Sequence, residues 1–474
     1  MTDARGDTRT NGDDRENPFD LSDTIVAEAT VSGRGALAIV RIAGPRAHAM
    51  ARDALSAWPN HPRHAVLSDV RDASGAVLDQ SIVVRYDAPA SFTGEDAVEI
   101  ITHGGLVVPT TVLAALIARG ARPAQRGEFT RRALLNGKLD ILQAEATGDL
   151  IAADSRAAQR VALRQLDGGL SRRVLALRDD MIGLEALIAY DIDFPEEDDG
   201  PIAPKRILNA TDALITAIEG LLATARSGEL VRQGAVVVLA GAPNVGKSSL
   251  FNALVGERRA IVTDIPGTTR DAIEAVIDTP TVPLRLVDTA GLRDTADVVE
   301  RLGVEVSESY LERAAVILAC VDGIDSATAV GNAIANRAAT IIGVRTKIDV
   351  LPAAADELVS IRSKIGGDSV VAVSAETGAG IDELVRTIER AVAADVLPAD
   401  ADAPLLTRER HRHAVAHALD EVRAFRHAWQ SDALPAPVAA VHLREAITAL
   451  EDLIGAVDVE DVLDEVFRRF CVGK

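Results

Sequence analysis

Short apolar runs alternate with helical patterns through the middle of the chain. Strand candidates in this region are residues 236–240, 273–277, 284–288, 316–321, 341–344 and 370–373. Strands that are buried on both faces of a parallel sheet have continuous apolar sequences. The alternation of such strands with helices is typical of a doubly wound, mostly parallel sheet. We therefore predict an α/β domain over residues 233–393.

Helical spacing flanks this region on both sides. Apolar positions three and four residues apart run from Leu139 to Ala153, and a second stripe continues from Leu163 to Leu187. After a linker over 397–404, helical patterns return over 405–425 and 443–453. One-face apolar stripes predict helices that pack on a shared core. We predict one discontinuous helical domain, residues 139–232 and 394–474, into which the α/β domain is inserted.

The first part of the chain mixes short strands with turns. Strand-like residues 24–27 and 36–42 precede a helical pattern that follows Pro45. This order indicates an α+β domain over residues 22–138, after a polar tail at 1–21 that we expect to be disordered. The charged stretch 191–199, interrupted by Pro195, is interpreted as a solvated loop.

Composition and charge exclude several classes of protein. The 474 residues carry 50 Lys and Arg against 71 Asp and Glu, and the net charge of −21 argues against a general polyanion binder. An aromatic content of 3% argues against a surface on which bases stack, and two cysteines exclude a disulfide framework. The longest apolar runs, such as 314–321, fall far short of the roughly 20 residues of a membrane span. Without a signal peptide pattern, we expect a cytoplasmic protein with no membrane partner.

A phosphate-binding signature directly follows the first strand of the predicted α/β domain. Residues 241–248, GAPNVGKS, fit G-x-x-x-x-G-K-[S/T]. In this pattern small residues let backbone N–H groups surround a phosphate at the start of a helix. Lys247 then reaches the outer phosphates and Ser248 holds Mg²⁺.

Three further elements follow in the order of a guanine-nucleotide site. The residues Asp288 to Gly291 (DTAG) follow a strand, where Asp288 suits the Mg²⁺ shell and the Gly291 N–H suits the γ-phosphate. Thr269 lies in sequence between the phosphate loop and this motif, and it is placed to cover Mg²⁺ as a switch threonine. Thr346 to Asp349 (TKID) supplies a carboxylate for two guanine N–H donors, and Ser374 to Glu376 (SAE) suits a contact to guanine O6. The four elements together predict GTP as the nucleotide.

Two positions depart from the common GTPase pattern. Thr346 stands where Asn is common, so a shorter side chain is expected to bridge less strongly to the phosphate loop. Leu292 stands where many GTPases carry a Gln that orients the attacking water. Glu300 is within reach in sequence, but the residues alone favour a solvated helix-cap carboxylate there.

The chain resembles the MnmE (TrmE) family of tRNA modification GTPases from about Asp23 to Lys474. The resemblance is carried by residues 91–96 (SFTGED), 139–146 (LDILQAEA), 470–474 (FCVGK) and the Pro243-Asn244 form of the phosphate loop. It implies an N-terminal folate-binding domain that forms a homodimer, a discontinuous helical domain and an inserted G domain. The resemblance thus implies a multidomain protein that combines α+β, all-α and P-loop α/β parts.

The resemblance also implies potassium-dependent GTP hydrolysis. Asn244, Thr263, Ile265 and Thr268 would be the K⁺ ligands, Ser248 and Thr269 the Mg²⁺ ligands, and Glu300 would orient water beside Lys247. Pro266 stands where small residues are common, so a stiffer switch loop is expected. The motifs and the resemblance together imply these nucleotide contacts: Asn244, Val245, Gly246, Lys247, Ser248, Ser249, Thr263, Asp264, Ile265, Pro266, Gly267, Thr268, Thr269, Asp288, Thr289, Ala290, Gly291, Thr346, Lys347, Asp349, Ser374, Ala375 and Glu376.

In the family the reaction occurs at C5 of the wobble uridine of certain tRNAs. An FAD-dependent partner, MnmG (GidA), forms a heterotetramer with the GTPase, and an aminomethyl or carboxymethylaminomethyl group is added with a methylene-tetrahydrofolate carbon. By motif position, Arg41, Glu99, Lys138 and Lys474 would contact a tetrahydrofolate derivative, in its 5,10-methylene or 5-formyl form. Cys471 would lie near that site, either as a nucleophile or as a structural thiol.

Two alternatives stay open from the residues. A basic run contains Arg119, Arg122, Arg126, Arg131, Arg132 and Lys138, and it is either a surface for tRNA phosphates or folate carboxylates, or a solvated helix face. The same G-domain motifs also serve a regulatory GTPase of ribosome assembly that performs no chemistry on RNA. The N-terminal domain and the terminal Cys-x-Gly-Lys favour the modification enzyme.

Overall fold

The computed structural model describes residues 22–193, 204–257, 273–288, 309–335, 337–393, 403–431, 435–455 and 472–473. The chain separates into two compact units. One comprises Met1–Asp140 with Glu460–Lys474, and the other comprises Ile141–Val459. The predicted tail at 1–21 and most of the predicted loop at 191–199 lie outside the described residues. The four domain boundaries stay predictions.

The described residues of the first unit form a mixed six-stranded sheet with three helices. The strands are β1 (Ile25–Glu28), β2 (Leu37–Ala43), β3 (Ala65–Arg71), β4 (Val77–Tyr86), β5 (Ala97–His103) and β6 (Arg122–Pro123), in the order β3-β4-β5-β2-β1-β6. All their pairings are antiparallel except that of β1 with β6. The helices are α1 (Ala47–Asp53), α2 (Val108–Ile117) and α3 (Glu128–Leu135). The α+β character expected of this region is confirmed.

Residues from the end of the chain pack within this first unit. Val472 forms an antiparallel bridge with Arg126. A Cβ on Gly473 would lie 2.4 Å from the carbonyl oxygen of Glu28, and its φ is +98°, so only glycine fits there. Val472 and Gly473 are therefore placed in the first unit, with Gly473 beside β1, although they are far from that strand in sequence.

The second unit contains a six-stranded sheet in the order β12-β11-β10-β7-β9-β8. Its strands are β7 (Ala235–Ala240), β8 (Ile273–Ile277), β9 (Leu284–Asp288), β10 (Val316–Val321), β11 (Thr340–Arg345) and β12 (Ser369–Ala372). Only β8 pairs antiparallel. Every residue of β10 is buried, which explains the continuous apolar run. The predicted sheet is confirmed, with strand ends within one residue of those expected.

Four described helices accompany this sheet: α9 (Lys247–Glu257), α10 (Ile324–Ile334), α11 (Ala355–Ile365) and α12 (Ile381–Ala393). The helix α9 starts directly at the end of the phosphate-binding signature. The helix α11 follows the TKID motif, and α12 follows the SAE motif. The carboxyl ends of β7, β9, β11 and β12 thus carry the four nucleotide motifs, as an open α/β sheet requires of a binding site.

Seven further helices lie in the described residues of the second unit. They are α4 (Ile141–Ala152), α5 (Arg156–Leu166), α6 (Gly169–Asp193), α7 (Pro204–Leu222), α8 (Ala225–Gln233), α13 (Glu409–Ser431) and α14 (Ala436–Ile454). The stretch Lys205–Gln233 is long and apolar enough to cross a membrane by length and composition. Its apolar side chains Ile207, Leu214, Ile218 and Leu221 instead pack in the helical core.

Two helix predictions were wrong in detail. The stripe from Leu163 to Leu187 is not one helix, because Gly168 in a left-handed conformation, with φ +78°, separates α5 from α6. The second predicted helix was expected from residue 405 but begins at Glu409. The backbone of Leu405 and Leu406 is instead hydrogen-bonded to Gln165 and Thr224 side chains.

A cluster of buried charges joins α4 to the first turn of α13. The Glu145 side chain is 3% exposed and accepts a hydrogen bond from His411 Nε2 at 2.6 Å. Arg410 Nε donates to its other oxygen at 3.3 Å, and Arg408 Nη2 donates to Asp149 Oδ1 at 2.7 Å. Burial alone would raise the pKa of Glu145, but the hydrogen bond from His411 and the nearby positive charges lower this pKa to about 2. Burial lowers the pKa of His411.

Candidate functional site

The phosphate loop wraps tightly from the end of β7 into α9. A Cβ on Gly241 would lie 2.5 Å from the carbonyl oxygen of Cys320 in β10, so glycine is required by close approach. Asn244 is left-handed, with φ +61°, which turns the loop before Gly246 and α9. Lys247 is 7% exposed, and its Nζ donates to the carbonyls of Gly241 and Ala242 at 3.0 and 2.8 Å. The ammonium group therefore lies inside the loop.

Two of the predicted Mg²⁺-site residues meet beside this loop. Ser248, the second residue of α9, donates from Oγ to Asp288 Oδ2 at 2.9 Å. Asp288 is the last residue of β9 and is 2% exposed. A hydroxyl oxygen and a carboxylate oxygen are hard ligands of the kind that Mg²⁺ prefers. The pair fits the metal that the motif implies.

The base-recognition loop is anchored to the phosphate loop. Thr346 Oγ1 donates to the carbonyl of Val245 at 2.6 Å, and Lys347 Nζ donates to the carbonyl of Asn244 at 2.6 Å. The shorter side chain of Thr346 does reach the phosphate loop, and the expectation that it bridges less strongly than Asn stays a prediction. The threonine is 3% exposed, so water does not compete for this contact.

The carboxylate expected to recognise guanine is held in place. Ser374, which is fully buried, donates from Oγ to Asp349 Oδ1 at 2.5 Å. Asp349 is exposed and has a second oxygen available to a ligand. Ala375 and Glu376 follow in the turn between β12 and α12. Ser249 lies in the first turn of α9 and is exposed.

The remaining nucleotide residues lie outside the described part of the chain. They are Thr263, Asp264, Ile265, Pro266, Gly267, Thr268, Thr269, Thr289, Ala290, Gly291, Leu292 and Glu300. Cys471 and Lys474 also lie outside it. The roles predicted for these residues stay predictions. The other cysteine, Cys320, is buried in β10, and burial raises the pKa of its thiol to about 12.

A pocket of about 140 Å³ opens in the first unit. Its lining consists of Arg41, Ala43, Tyr86, Phe92, Thr93, Ala97 and Glu99. Arg41 and Glu99 face each other across paired strands β2 and β5, and the guanidinium donates twice to Glu99 Oε1, at 3.0 and 2.7 Å. Two of the four residues predicted for folate therefore share one cavity.

Two aromatic rings, those of Tyr86 and Phe92, line this pocket. The Arg41 guanidinium lies 5.8 Å from the centre of the Phe92 ring, and Tyr86 OH donates to Glu99 Oε2 at 3.0 Å. Burial and the charge of Glu99 raise the pKa of Tyr86. Flat rings beside a carboxylate and a guanidinium fit a planar, nitrogen-rich heterocycle.

Sequence reasoning had missed the aromatic lining. Phe92 and Thr93 lay inside the SFTGED motif without an assigned role, and Tyr86 ended a strand with no motif signal. Lys138 is exposed and donates from Nζ to the carbonyl of Pro89 at 3.0 Å, and it is not among the lining residues.

The basic run contributes ion pairs to the first unit. Arg132 is 2% exposed and contacts the carboxylates of Asp23, Glu95 and Glu128. Arg122 also pairs with Asp23 and Glu128. For Arg132, therefore, both alternatives were wrong: it is neither on a solvated face nor on an open phosphate surface.

Comparison with known proteins agrees with these features. A family model described as the MnmE helical domain matches residues 141–471, and one described as the GTP-binding protein TrmE N-terminus matches 24–138. The chain is 44% identical over 456 residues to the tRNA modification GTPase MnmE of Azoarcus sp. (strain BH72). This alignment covers 95% of the present chain and 98% of the Azoarcus protein. Proteins of the same name from Laribacter hongkongensis (strain HLHK9) and Aquifex aeolicus (strain VF5) are 42% and 38% identical, and each covers 96% of this chain. The alignments span 99% and 100% of those two proteins.

Proposed function

The chain belongs to the MnmE family of tRNA modification GTPases, and we propose that it hydrolyses GTP at the edge of its parallel sheet while acting in tRNA modification. One observation carries the assignment of this site. The phosphate-loop pair Ser248–Asp288 and the base-recognition pair Asp349–Ser374 both lie at the carboxyl ends of strands of one sheet. Residues for the phosphates, the metal and the base thus converge on one edge.

Each group has a defined task in nucleotide binding. Backbone N–H groups of residues 244–248 at the start of α9 surround the phosphates, and Lys247 adds a positive charge beside them. Ser248 and Thr269 would hold Mg²⁺, with Asp288 beside Ser248, and the ion would supply positive charge next to the phosphates. Asp349 accepts hydrogen bonds from guanine N1–H and its 2-amino group, which adenine cannot provide.

Hydrolysis needs a water molecule in line with the γ-phosphate. Leu292 cannot hydrogen-bond to it, so we assign its orientation to Glu300. Asn244, together with Thr263, Ile265 and Thr268, would hold K⁺, which when bound supplies positive charge next to the phosphates. The left-handed turn at Asn244 supports this role, because it places a side-chain amide at the bend of the loop.

The pocket in the first unit is the proposed site for a tetrahydrofolate derivative, which would supply a one-carbon group. The Tyr86 and Phe92 rings would contact a flat pterin ring, and Glu99 would accept from its guanidine-like edge. Arg41 holds Glu99 in position. Lys138 and Lys474 would pair with folate carboxylates. The packing of Gly473 beside β1 supports a position of the terminal motif, including Cys471, within the same unit.

The complete reaction requires other molecules. We propose a homodimer through the N-terminal domain and a heterotetramer with an FAD-dependent MnmG (GidA) partner, which together add an aminomethyl or carboxymethylaminomethyl group to C5 of wobble uridine. Because the chain carries a net charge of −21, which repels the tRNA phosphates, we propose that the partner supplies part of the tRNA contact.

Mass spectrometry of tRNA nucleosides tests the function as a whole. Cells lacking the gene are complemented with wild type, with Lys247→Ala, or with Lys364→Ala, a control in which an exposed lysine of α11 is changed. We expect the C5-substituted wobble uridine to return with wild type and the control but not with Lys247→Ala. An unchanged nucleoside profile in the gene deletion would refute the assignment and favour a regulatory GTPase.

A further inference from the structure

A charged side chain is buried directly before the base-recognition loop. Arg345 is the last residue of β11, is 1% exposed, and precedes Thr346. The residues that pair with it on neighbouring strands, Val321 and Ala372, are apolar. Burying a guanidinium costs free energy unless it is paired and hydrogen-bonded. The contacts of Arg345 must therefore explain why a charged side chain is buried at this position.

Arg345 connects the two ends of the base-recognition segment. Its Nε donates to Glu357 Oε1 at 2.8 Å, and its Nη1 donates to the carbonyl of Thr346 at 2.5 Å. Glu357 belongs to the first turn of α11, and its side chain is 18% exposed. The pair therefore ties the residue before the loop to the helix after it, across residues 346–356.

The contact to Thr346 fixes the peptide plane on which the loop turns. That plane joins Thr346 to Lys347, a non-glycine residue in a left-handed conformation with φ +57°. Such a conformation persists only where surrounding contacts hold it. Two residues later, Asp349 needs a position accurate to about half an ångström to meet two donors on the base.

Stability alone explains the pair poorly. Among the described residues, Arg345 Nη2 is buried without a hydrogen-bond partner. A partly satisfied buried charge is less stable than an apolar side chain of similar volume. The geometry is better explained by a function in the loop than by a function in the core.

We propose that Arg345 and Glu357 are positioning residues that set the guanine selectivity of the site. Arg345 holds the Thr346–Lys347 peptide, and Glu357 holds the guanidinium. Together they keep the Asp349 carboxylate aligned with the N1–H and 2-amino groups of guanine. The inference rests on the proposed nucleotide site.

The test compares GDP with inosine diphosphate, which lacks the 2-amino group. Dissociation constants are measured for the purified full-length chain by fluorescence competition. A hydrogen bond to a charged group corresponds to about a ten- to hundredfold preference of the wild type for GDP. In Arg345→Met, which keeps the length of the side chain but removes its donors, we expect the preference to fall about tenfold. Arg362→Met, an exposed change on α11, is the matched control with an unchanged preference.

Glu357→Gln provides a second variant at a partly exposed position, so the test does not depend on the folding of Arg345→Met. We expect its preference for GDP to fall severalfold. An equal loss of affinity for both nucleotides, or an unchanged preference in both variants, overturns the inference. Failure of the wild type to bind GDP would overturn the proposed function instead.

Discussion

The buried charge cluster around Glu145 allows a quantitative prediction for Glu145→Gln. The ordinary pKa of 4.5 falls to about 2 in the folded protein, which corresponds to about 3 kcal/mol in favour of folding with the carboxylate ionised. The amide of Glu145→Gln keeps the shape of the side chain and one oxygen that can accept from His411. It loses the negative charge, so the positive charges of Arg410 and Arg408 lose their partner. Removing one member of a buried ion pair usually costs about 3 to 5 kcal/mol. We therefore expect a loss of about 3 kcal/mol.

A single tryptophan can report this loss locally. The chain has two tryptophans, and Trp58→Phe leaves Trp429, which packs against the helical core with its ring 5.7 Å from that of Phe425. Urea unfolding followed by Trp429 fluorescence should show a midpoint lower by about 1 to 3 M in Glu145→Gln. Glu421→Gln is the control, because Glu421 accepts from His442 Nδ1 at 2.6 Å but is 22% exposed. We expect it to cost about 1 kcal/mol or less.

The effect of pH follows from the direction of each shift. A carboxyl whose folded pKa is depressed stabilises fully above its unfolded pKa and loses that contribution as pH falls towards the folded value. The difference between wild type and Glu145→Gln should therefore shrink between about pH 4.5 and pH 2. His411, whose pKa burial lowers, destabilises the helical core as pH falls below its ordinary value of 6.5. Equal midpoints for Glu145→Gln and Glu421→Gln at pH 7 would refute this reasoning.

Four further predictions concern the proposed sites. Thr346→Val should weaken GDP binding about tenfold in calorimetry because the hydroxyl contact to Val245 is lost, whereas Thr346→Ser should retain it. Glu300→Ala should lower kcat for GTP hydrolysis about a hundredfold or more with nearly unchanged GTP affinity, and a matching loss of affinity would contradict its role. GTP hydrolysis should be faster in potassium than in sodium at equal ionic strength, and equal rates would exclude the K⁺ assignment. Glu99→Gln should weaken binding of 5-formyltetrahydrofolate at least severalfold in equilibrium dialysis, and unchanged binding would remove Glu99 from that site.

The nucleotide motifs and the sheet could be predicted from sequence because their determinants are local. A buried parallel strand needs only consecutive apolar residues, and a phosphate loop needs glycines and a lysine at fixed spacing. The ends of helices were harder to predict from the sequence. Leu163, Leu166 and Leu170 keep a spacing of three and four residues across the break at Gly168, so periodicity alone does not reveal it.

The contacts that sequence reasoning missed join residues that are far apart along the chain. Tyr86 and Glu99 become partners only when β4 and β5 pair. His411 follows an arginine and carries no motif signal in the sequence, yet its side chain is 1% exposed and hydrogen-bonded to Glu145, 266 residues earlier. Polar residues at such positions look like surface residues in sequence, because the partner that makes their burial possible is supplied by the fold.

The same kind of contact fixes both connections of the nucleotide-binding sheet to the helices. The chain passes from α8 into β7 just after Arg232, and it returns through residues 403–408. Arg232 Nε donates to the carbonyl of Thr407 at 2.8 Å, and Gln165 Nε2 donates to the carbonyl of Leu405 at 3.0 Å and to Thr407 Oγ1 at 3.2 Å. Gln165 and Thr407 are 4% and 1% exposed, so water does not replace these bonds at low cost. A motion that separates the two connections breaks the hydrogen bond between Arg232 and Thr407, so this bond resists their separation, while Gln165 anchors the returning connection to α5.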